Sequence, residues 1–402
     1  MRILVITSEI PYPTINGGRL RIYNLLKRIA QEHQVWLATH VQDRNETDGI
    51  QHLETFCEEV FTGGLPQKHP LAYVPELMRY ALSSKPFELF FFRSDELANK
   101  LEQLFAREAI DIVQIEETYV AHYLENIPQE IHTKCILTFY DIVFEMIANI
   151  AHLERNPVRK LRRWLFSQSL KRWEPRYAAR FARCITVSEV DRDRLLACNP
   201  RLRVDVIPNG VDTWQLQSLP EVNFSPSLLF IGNMAYWPGI DAALYFSREI
   251  LPQIRKTFPD VTFWVVGSNP VSEVMALDGA HIHVTGRVES VIPYYERSSV
   301  CVVPLRAGTG TRLKILEAMA LGRPVVSTSA GCEGLDVIAG EHLLVADNPV
   351  DFAKATIRLL EDRELYDRLT ACARELVVSR YDWNVIAKRQ MEIYTALAEQ
   401  HK

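Results

Sequence analysis

The chain has 402 residues, of which 48% are hydrophobic and 24% are charged, and this composition is typical of a globular protein of two or three domains. Its 45 basic and 50 acidic residues give a net charge of -5, which argues against a general nucleic-acid-binding protein. The seven cysteines lack CxxC spacing, the N-terminal apolar run is too short for a signal peptide, and no apolar stretch is long enough to cross a bilayer. We therefore expect a soluble, cytoplasmic protein with reduced cysteines.

Two series of short apolar runs alternate with helical patterns along the chain. Each run is apolar on both faces and precedes a helix, which predicts parallel sheets covered by helices on both sides. In the first series, strands are predicted over 2–8, 34–40, 110–116, 135–141, 184–189 and 203–209. In the second series, strands are predicted over 227–232, 261–267, 281–288, 300–306, 324–329 and 342–347.

The segment PNGVD is a strong turn signal and opens a stretch without clear periodicity. It predicts a linker over 208–226, between an N-terminal domain over 1–207 and a C-terminal domain over 227–382. The last helical pattern, 383–402, is expected to pack back on the first domain. The predicted fold class is α/β, with two tandem doubly wound Rossmann-like domains facing each other across a cleft.

The segment GTGTRLKILEAMALG, residues 308–322, follows a predicted strand and combines loop-forming residues with an alanine- and leucine-rich helix. We expect the helix to begin near Thr311. The N–H groups and the dipole at a helix start attract anions, and glycines allow a ligand to approach the backbone closely. This segment therefore predicts an anion site.

Three charged residues in this segment extend that prediction to a nucleotide. Arg312 and Lys314 add positive charge at the helix start. Glu317 would lie roughly 8 to 9 Å along the helix axis from the helix start. This distance is about the separation of a nucleotide's diphosphate from its ribose hydroxyls. One helix could thus hold phosphates at its start and two ribose hydroxyls on its flank.

Several segments in a fixed order carry a resemblance across most of the chain. They are the N-terminal RILVITSEIPYPTINGGRLRIYNLLKRIA, TVSE followed by VIPNGVD, the glycine of FIG at position 232, TGRV at 285–288, and LKILEAMALGRPVVSTSAGCEGL. Together they resemble the GT-B glycosyltransferases, in particular glycosyltransferase family 4. The resemblance implies retaining transfer of a hexose-like sugar from a nucleotide-sugar donor to a hydroxyl acceptor, such as a glycan, a glycolipid or a small molecule, without a cofactor or an essential metal.

The resemblance, together with the charges at the helix start and the positions of acids at predicted strand ends, gives roles for individual residues. Catalytic roles fall on Asp141, Arg312, Lys314 and Glu317, and acceptor-side positions on Glu116 and Glu117. Donor-binding positions fall on Gly17, Gly18, Asn233, Arg287, Val288, Thr309, Gly310, Thr311 and Leu313.

The sequence departs from the family pattern at two of these positions. Thr309 stands where the first of two glutamates, eight positions apart, is usual. Asn233 stands at an arginine-like position, and no lysine follows it. We infer that Arg312 and Lys314 supply the missing positive charge beside the diphosphate.

Simpler interpretations exist for the same residues. Arg312, Lys314 and Glu317 could be solvated helix residues, and Gly17 and Gly18 could form a turn. Asp141 and Glu117 could be helix caps. The DxD formed by Asp191 and Asp193 is expected to complement a helix dipole and not to bind a metal.

The segment 155–183 contains ten Lys or Arg residues, one acid and interleaved aromatic residues. It could lie against anionic headgroups as a peripheral contact at the inner membrane face, or receive an acidic or lipid-phosphate acceptor. Alternatively, it is a half-buried helix with basic stems on its surface.

Three other functions are compatible with the predicted architecture. The first is a nucleotide-sugar epimerase, and the second is a catalytically silent nucleotide-sugar-binding partner. The third is a dehydrogenase, which is disfavoured because IPYPTINGG lacks GxGxxG spacing.

Overall fold

The computed structural model describes residues 1–41, 47–65, 87–154, 156–220, 226–307 and 312–400. The chain forms two compact units, unit 1 with Met1–Pro208 and Ile386–Lys402, and unit 2 with Asn209–Val385. Residues 221–225 of the predicted linker and Arg155 of the basic segment lie outside the described residues. None of the helices in the described part of the chain combines the length and the apolar character that a membrane span requires.

Unit 1 contains a sheet of seven parallel strands in the order β3-β2-β1-β4-β5-β6-β7. The strands are β1 (Arg2–Thr7), β2 (Gln34–Val41), β3 (Glu59–Gly64), β4 (Ile112–Glu116), β5 (Cys135–Phe139), β6 (Arg183–Thr186) and β7 (Val204–Val206). All six predicted strands are present. β3 was not predicted.

Helices surround this sheet. The α-helices are Gly17–Ile29, Thr47–Leu53, Asp95–Arg107, Val143–Leu153, Pro157–Ala178, Glu189–Cys198 and Trp383–Glu399, the last of which belongs to unit 1 from Ile386 onward. Short 3-10 helices span Phe87–Phe92, Thr118–Asn126 and Gln129–Lys134. β1 and β4 are fully buried apart from Arg2, as the continuous apolar runs in the sequence predict.

Unit 2 contains a sheet of six parallel strands in the order β10-β9-β8-β11-β12-β13. The strands are β8 (Ser227–Ile231), β9 (Thr262–Val266), β10 (Ile282–Gly286), β11 (Val300–Val303), β12 (Val325–Ser327) and β13 (Leu344–Val345). The α-helices are Trp237–Tyr245, Leu251–Ile254, Ser272–Met275, Ile292–Arg297, Leu313–Ala320, Pro349–Glu361 and Arg363–Leu376, and π-helical turns span Phe246–Ile250 and Val377–Tyr381.

In each sheet, the order in which successive strands are added changes direction once. We call this point the reversal, and it determines where ligands can bind. In unit 1 the chain runs outward from β1 to β3 and then returns to β4 on the other side of β1. In unit 2 it runs from β8 to β10 and returns to β11. Ligands of open parallel sheets bind at the carboxyl ends of the strands beside such a reversal. The predicted doubly wound α/β class is confirmed.

Candidate active site

In unit 2, a glycine and a lysine meet at the reversal between β8 and β11. Gly232 follows β8, and Lys314 lies in the first turn of the helix that follows β11. A Cβ atom placed on Gly232 would lie 3.2 Å from Lys314 Nζ. A Cβ atom on Gly267, which follows β9, would overlap the carbonyl oxygen of Gly232. Because Gly232 has no side chain, the Lys314 ammonium group can lie close to the Gly232 backbone.

The Lys314 ammonium group is enclosed. Its Nζ lies 4.7 Å from the centre of the Phe230 ring. The pKa of Lys314 is lowered to about 7, chiefly by burial and also by the nearby charge of Arg312, while Glu317 opposes both effects. Two half-buried cations close together favour the arrival of an anion.

Glu317 lies one helical turn beyond Lys314 and is held by a tyrosine. The buried Tyr295 hydroxyl is 3.4 Å from Glu317 Oε2, to which it donates a hydrogen bond, and 3.3 Å from the carbonyl oxygen of Lys314. Burial raises the pKa of Glu317 to about 7, against the opposing effects of Tyr295 and Lys314. Tyr295 comes from the helix Ile292–Arg297, and no local sequence pattern pointed to it.

The helix in this segment starts later than predicted. It begins at Leu313, with Arg312 at the N-cap position, and not near Thr311. Glu317 is therefore about 6 Å, and not 8 to 9 Å, along the axis from the helix start. Leu313 is half-buried and packs on the core of unit 2.

Of four other predicted donor-binding positions, the structure describes one. Thr309, Gly310 and Thr311 lie outside the described residues. Asn233 directly follows Gly232, is exposed, and accepts a hydrogen bond from the Ala235 amide at 3.0 Å.

Arg287 and Val288 follow β10 and share the same edge of the sheet as Gly232. Arg287 is exposed, and Val288 is half-buried against the core. β10 is two strands away from β8, which corresponds to about 10 Å. The structure therefore groups Asn233, but not Arg287 or Val288, with Gly232 and Lys314.

In unit 1, acidic residues gather at the reversal between β1 and β4. Ser8, which follows β1, donates a hydrogen bond to Glu117 Oε2 after β4. Glu117 has a φ of 74°, a strained conformation for a residue with a side chain. The pKa of Glu117 is raised to about 7, chiefly by burial and also by the charges of Glu9, Glu116 and Asp141, while the hydrogen bond from Ser8 opposes the shift.

Glu117 and Asp141 each precede a helix, and their positions relative to its N-cap differ. Glu117 occupies the N-cap position of Thr118–Asn126 but makes no capping hydrogen bond with its side chain. The N-cap residue of Val143–Leu153 is Ile142, and not Asp141. Asp141 follows β5, the neighbour of β4, so both carboxylates lie at the same edge of the sheet.

Glu116 belongs to a buried polar network. Its Oε2 accepts a hydrogen bond from the Tyr140 hydroxyl at 2.8 Å, and its Oε1 accepts one from the amide of Gln114. The side-chain oxygen Oε1 of Gln114 in turn accepts hydrogen bonds from Gln390 Nε2, at 2.7 Å, and from the Tyr394 hydroxyl. Burial raises the pKa of Glu116, and Arg21 opposes this shift. Glu116 thus connects the strand end to the C-terminal helix.

Gly17 and Gly18 are the first two residues of the helix Gly17–Ile29, so the alternative of a simple turn is wrong. Asn16 caps this helix by accepting a hydrogen bond from the Arg19 amide at 2.8 Å. Glu9 accepts hydrogen bonds from Asn16 Nδ2 at 2.9 Å and from Arg19 Nε at 2.6 Å. A well-supported helix start with two glycines presents backbone N–H groups to a ligand.

The DxD segment has a structural arrangement. Asp191 lies in the first turn of Glu189–Cys198 and accepts a hydrogen bond from the N-cap Ser188 at 2.6 Å. Asp193 is exposed and pairs with Arg192 at 3.0 Å. Over the described ranges, no three His, Cys, Asp or Glu side chains are grouped so that they could hold a metal ion.

Two family models and several known proteins match this chain. Residues 15–215 match the model of Glycosyltransferase Family 4, and residues 225–362 match that of Glycosyl transferases group 1. The chain is 23% identical to an uncharacterized 44.6 kDa protein in the cps region of Klebsiella pneumoniae, over 95% of this chain and 96% of that protein. It is 28% identical to a phosphatidyl-myo-inositol mannosyltransferase of Mycobacterium leprae (strain TN), over 62% of this chain and 67% of that protein.

The fold is also similar to solved structures. The crystal structure of Anabaena Alr3699/HepE in complex with UDP and glucose matches with a TM-score of 0.68 at 16% identity, covering 98% of this chain and 100% of that one.

Proposed function

Because this chain belongs to glycosyltransferase family 4, we propose that it transfers a sugar with retention of configuration, from a nucleotide-sugar donor to a hydroxyl acceptor, without an essential metal ion. Its two Rossmann-like domains have the GT-B fold, and it is a nucleotide-sugar-dependent glycosyltransferase. The stereochemistry, the metal independence, the substrates and the residue roles are the proposal.

The observation that carries the proposal is the approach of Lys314 to Gly232 at the reversal of the unit 2 sheet. A diphosphate placed there would meet the Lys314 ammonium, Arg312 at the helix start and the backbone beside Gly232. Glu317, one turn further along, would accept hydrogen bonds from the ribose hydroxyls. Tyr295 would keep that carboxylate in place.

The chemistry requires positioning and charge stabilisation. The bond between the anomeric carbon and the diphosphate oxygen breaks, and the acceptor oxygen bonds to that carbon on the same face. The acceptor proton passes to an oxygen of the departing phosphate. Lys314 and Arg312 stabilise the negative charge that develops on the diphosphate, a role that a metal ion would otherwise fill.

Unit 1 would supply the acceptor-side groups. We assign Asp141 and Glu117 to contact with the acceptor hydroxyl, because both lie at the carboxyl edge of the sheet. Glu116 is enclosed by Tyr140 and Gln114, so it would act by holding this edge in place. We also propose that segment 155–183 contacts the membrane, which would place the enzyme peripherally on its cytoplasmic face.

Calorimetry with UDP, GDP and ADP tests the donor site. We expect one of these nucleoside diphosphates to bind the wild type, and Lys314→Ala to bind it at least about tenfold more weakly, a loss typical of a hydrogen bond to a charged group. Lys354→Ala is the matched control, because Lys354 is an exposed lysine elsewhere in unit 2. Unchanged affinity in Lys314→Ala would reject the site.

Turnover distinguishes the alternatives to transfer. An epimerase would convert the donor without an acceptor, and a silent binding partner would leave it intact. We expect release of nucleoside diphosphate that depends on an acceptor, with the donor's anomeric configuration kept in the product.

A further inference from the structure

The helix Pro157–Ala178 exposes an apolar stripe on the surface of unit 1. Its members have exposed fractions of 76% for Val158, 57% for Leu161, 49% for Trp164 and 55% for Leu165. At 3.6 residues per turn these four side chains lie within about 120° of the helix circumference. The opposite face carries Leu170, Trp173 and Tyr177, which are buried in the core of unit 1. The stripe is therefore additional to the face that stabilises the fold.

Positive charge surrounds this stripe. The exposed basic residues of the helix include Lys160, Arg162, Lys171 and Arg172. Its one acid, Glu174, is fully buried and accepts a hydrogen bond from Thr118 at 2.6 Å. The chain as a whole carries a charge of -5, so this positive charge is a local feature. Exposed aliphatic and Trp side chains flanked by cations are the chemistry of a helix that lies in an anionic lipid surface.

Along the helix axis, the stripe ends near the level at which the neighbouring helix begins, three residues after Asp141. The helices Val143–Leu153 and Pro157–Ala178 pack as an antiparallel hairpin. Near its tip, Lys160 Nζ is 3.4 Å from the His152 carbonyl oxygen, and near its other end Ser167 Oγ is 2.8 Å from the Phe144 carbonyl oxygen. Leu165 is therefore only about 3 Å along the axis from the level of Phe144. Phe144 is three residues after Asp141.

We propose that this hairpin docks on an anionic phospholipid bilayer and that the acceptor is anchored in the same bilayer by a hydrocarbon chain. The acceptor assignment rests on the proposed transfer function. A headgroup hydroxyl of the lipid forms the new bond to the anomeric carbon, the bond from that carbon to the diphosphate breaks, and the hydroxyl proton leaves on the diphosphate. Docking keeps the lipid headgroup near Asp141.

Vesicle sedimentation tests the docking surface. Wild-type protein is expected to bind vesicles of phosphatidylglycerol and phosphatidylcholine, and to bind pure phosphatidylcholine at least about tenfold more weakly. Leu161→Ser/Leu165→Ser and Lys160→Glu/Arg162→Glu should each lose at least about tenfold in vesicle affinity. Ile338→Ser is the control, because Ile338 is 56% exposed in unit 2.

Two measurements separate this proposal from the donor site and from misfolding. Nucleoside diphosphate affinity, which depends on unit 2, should be the same in both stripe variants as in the wild type. Vesicle binding that survives in both stripe variants, or its absence in the wild type, would overturn the docking surface. Self-association of the wild type that the leucine variant abolishes, without any vesicle binding, would assign the stripe to a second copy instead.

Label transfer tests the acceptor class. Wild-type enzyme and a radiolabelled nucleotide sugar are incubated with total membranes or with the soluble fraction of the source cells. We expect label in the chloroform–methanol extract of the membranes, reduced in Leu161→Ser/Leu165→Ser and unchanged in Ile338→Ser. Label confined to water-soluble product, or no label in the lipid extract, would contradict a membrane-anchored acceptor.

Discussion

Lys314 and Glu317 lie one helical turn apart, and burial brings the pKa of each to about 7. In the proposed site, donor binding would use Lys314 as a cation beside the diphosphate and Glu317 as a carboxylate beside the ribose. The pKa of the lysine is lowered, so its charge is lost as the pH rises through about 7. The pKa of the glutamate is raised, so its charge is lost as the pH falls through about 7.

The opposite titrations of Lys314 and Glu317 predict that donor affinity is greatest near pH 7. It should fall on both sides, by up to about tenfold per pH unit. Calorimetry of nucleoside diphosphate binding from pH 5.5 to 8.5 measures the profile. In Lys314→Ala the decline in affinity above pH 7 should disappear. A wild-type affinity that does not change with pH would contradict this prediction.

Removing the charge of Glu317 while keeping its shape should impair turnover. Glu317→Gln is expected to lower kcat/KM by about 10- to 150-fold, the equivalent of about 1.5 to 3 kcal/mol for a charged hydrogen bond. Steady-state kinetics with the cognate donor measures the effect. Glu361→Gln, an exposed position in unit 2, serves as the control, and full activity in Glu317→Gln would remove the ribose role.

Two glycines beside this site should respond differently to alanine. In Gly232→Ala, the new methyl group would lie 3.2 Å from the flexible end of Lys314, so we expect weaker nucleoside diphosphate binding at a nearly unchanged Tm. In Gly267→Ala, the methyl group would overlap rigid backbone, so we expect a loss of about 1 to 3 kcal/mol in stability. Calorimetry measures nucleoside diphosphate affinity in both variants, and thermal unfolding measures their Tm. Equal Tm values in the two variants would contradict the prediction.

At the scale of elements, the strand and helix pattern could be read from the sequence because parallel strands buried on both faces form continuous apolar runs. β3 was missed because it is an edge strand that starts with Glu59 and ends in two glycines. The start of the helix at Leu313 was also missed, because threonine is a preferred capping residue and position 311 favoured an earlier start, whereas the N-cap residue is Arg312, whose side chain makes no capping hydrogen bond. Helix boundaries depend on local contacts that composition alone does not report.

The network that joins β4 to the C-terminal helix gives a prediction about stability. Gln114→Ala would leave the donors of Gln390 and Tyr394 without their shared acceptor, and Glu116 without one of its donors. Because these groups are buried, the free energy of unfolding should fall by about 2 to 4 kcal/mol. Urea unfolding measures this loss, with Gln103→Ala as control, because Gln103 is an exposed glutamine of the helix Asp95–Arg107 in unit 1. A change below about 0.5 kcal/mol in Gln114→Ala would contradict the prediction.

At the scale of the whole molecule, the residues that complete the candidate site come from distant parts of the chain. Ser8 reaches Glu117 over 109 residues, and Tyr295 reaches Glu317 over 22. Glu117 and Glu317 could be identified from the sequence because each belongs to a short contiguous motif. Ser8, Tyr140 and Tyr295 could not be predicted, because their roles arise only when the strands of each sheet are ordered around its reversal.

The central claim is that one short helix holds the donor's diphosphate and ribose together. Its most direct test is a crystal structure of the protein with the nucleoside diphosphate that it binds. We predict a diphosphate oxygen at about 3 Å from Lys314 Nζ and a ribose hydroxyl within hydrogen-bonding distance of Glu317. A nucleotide bound away from the carboxyl ends of β8 and β11 would contradict the claim.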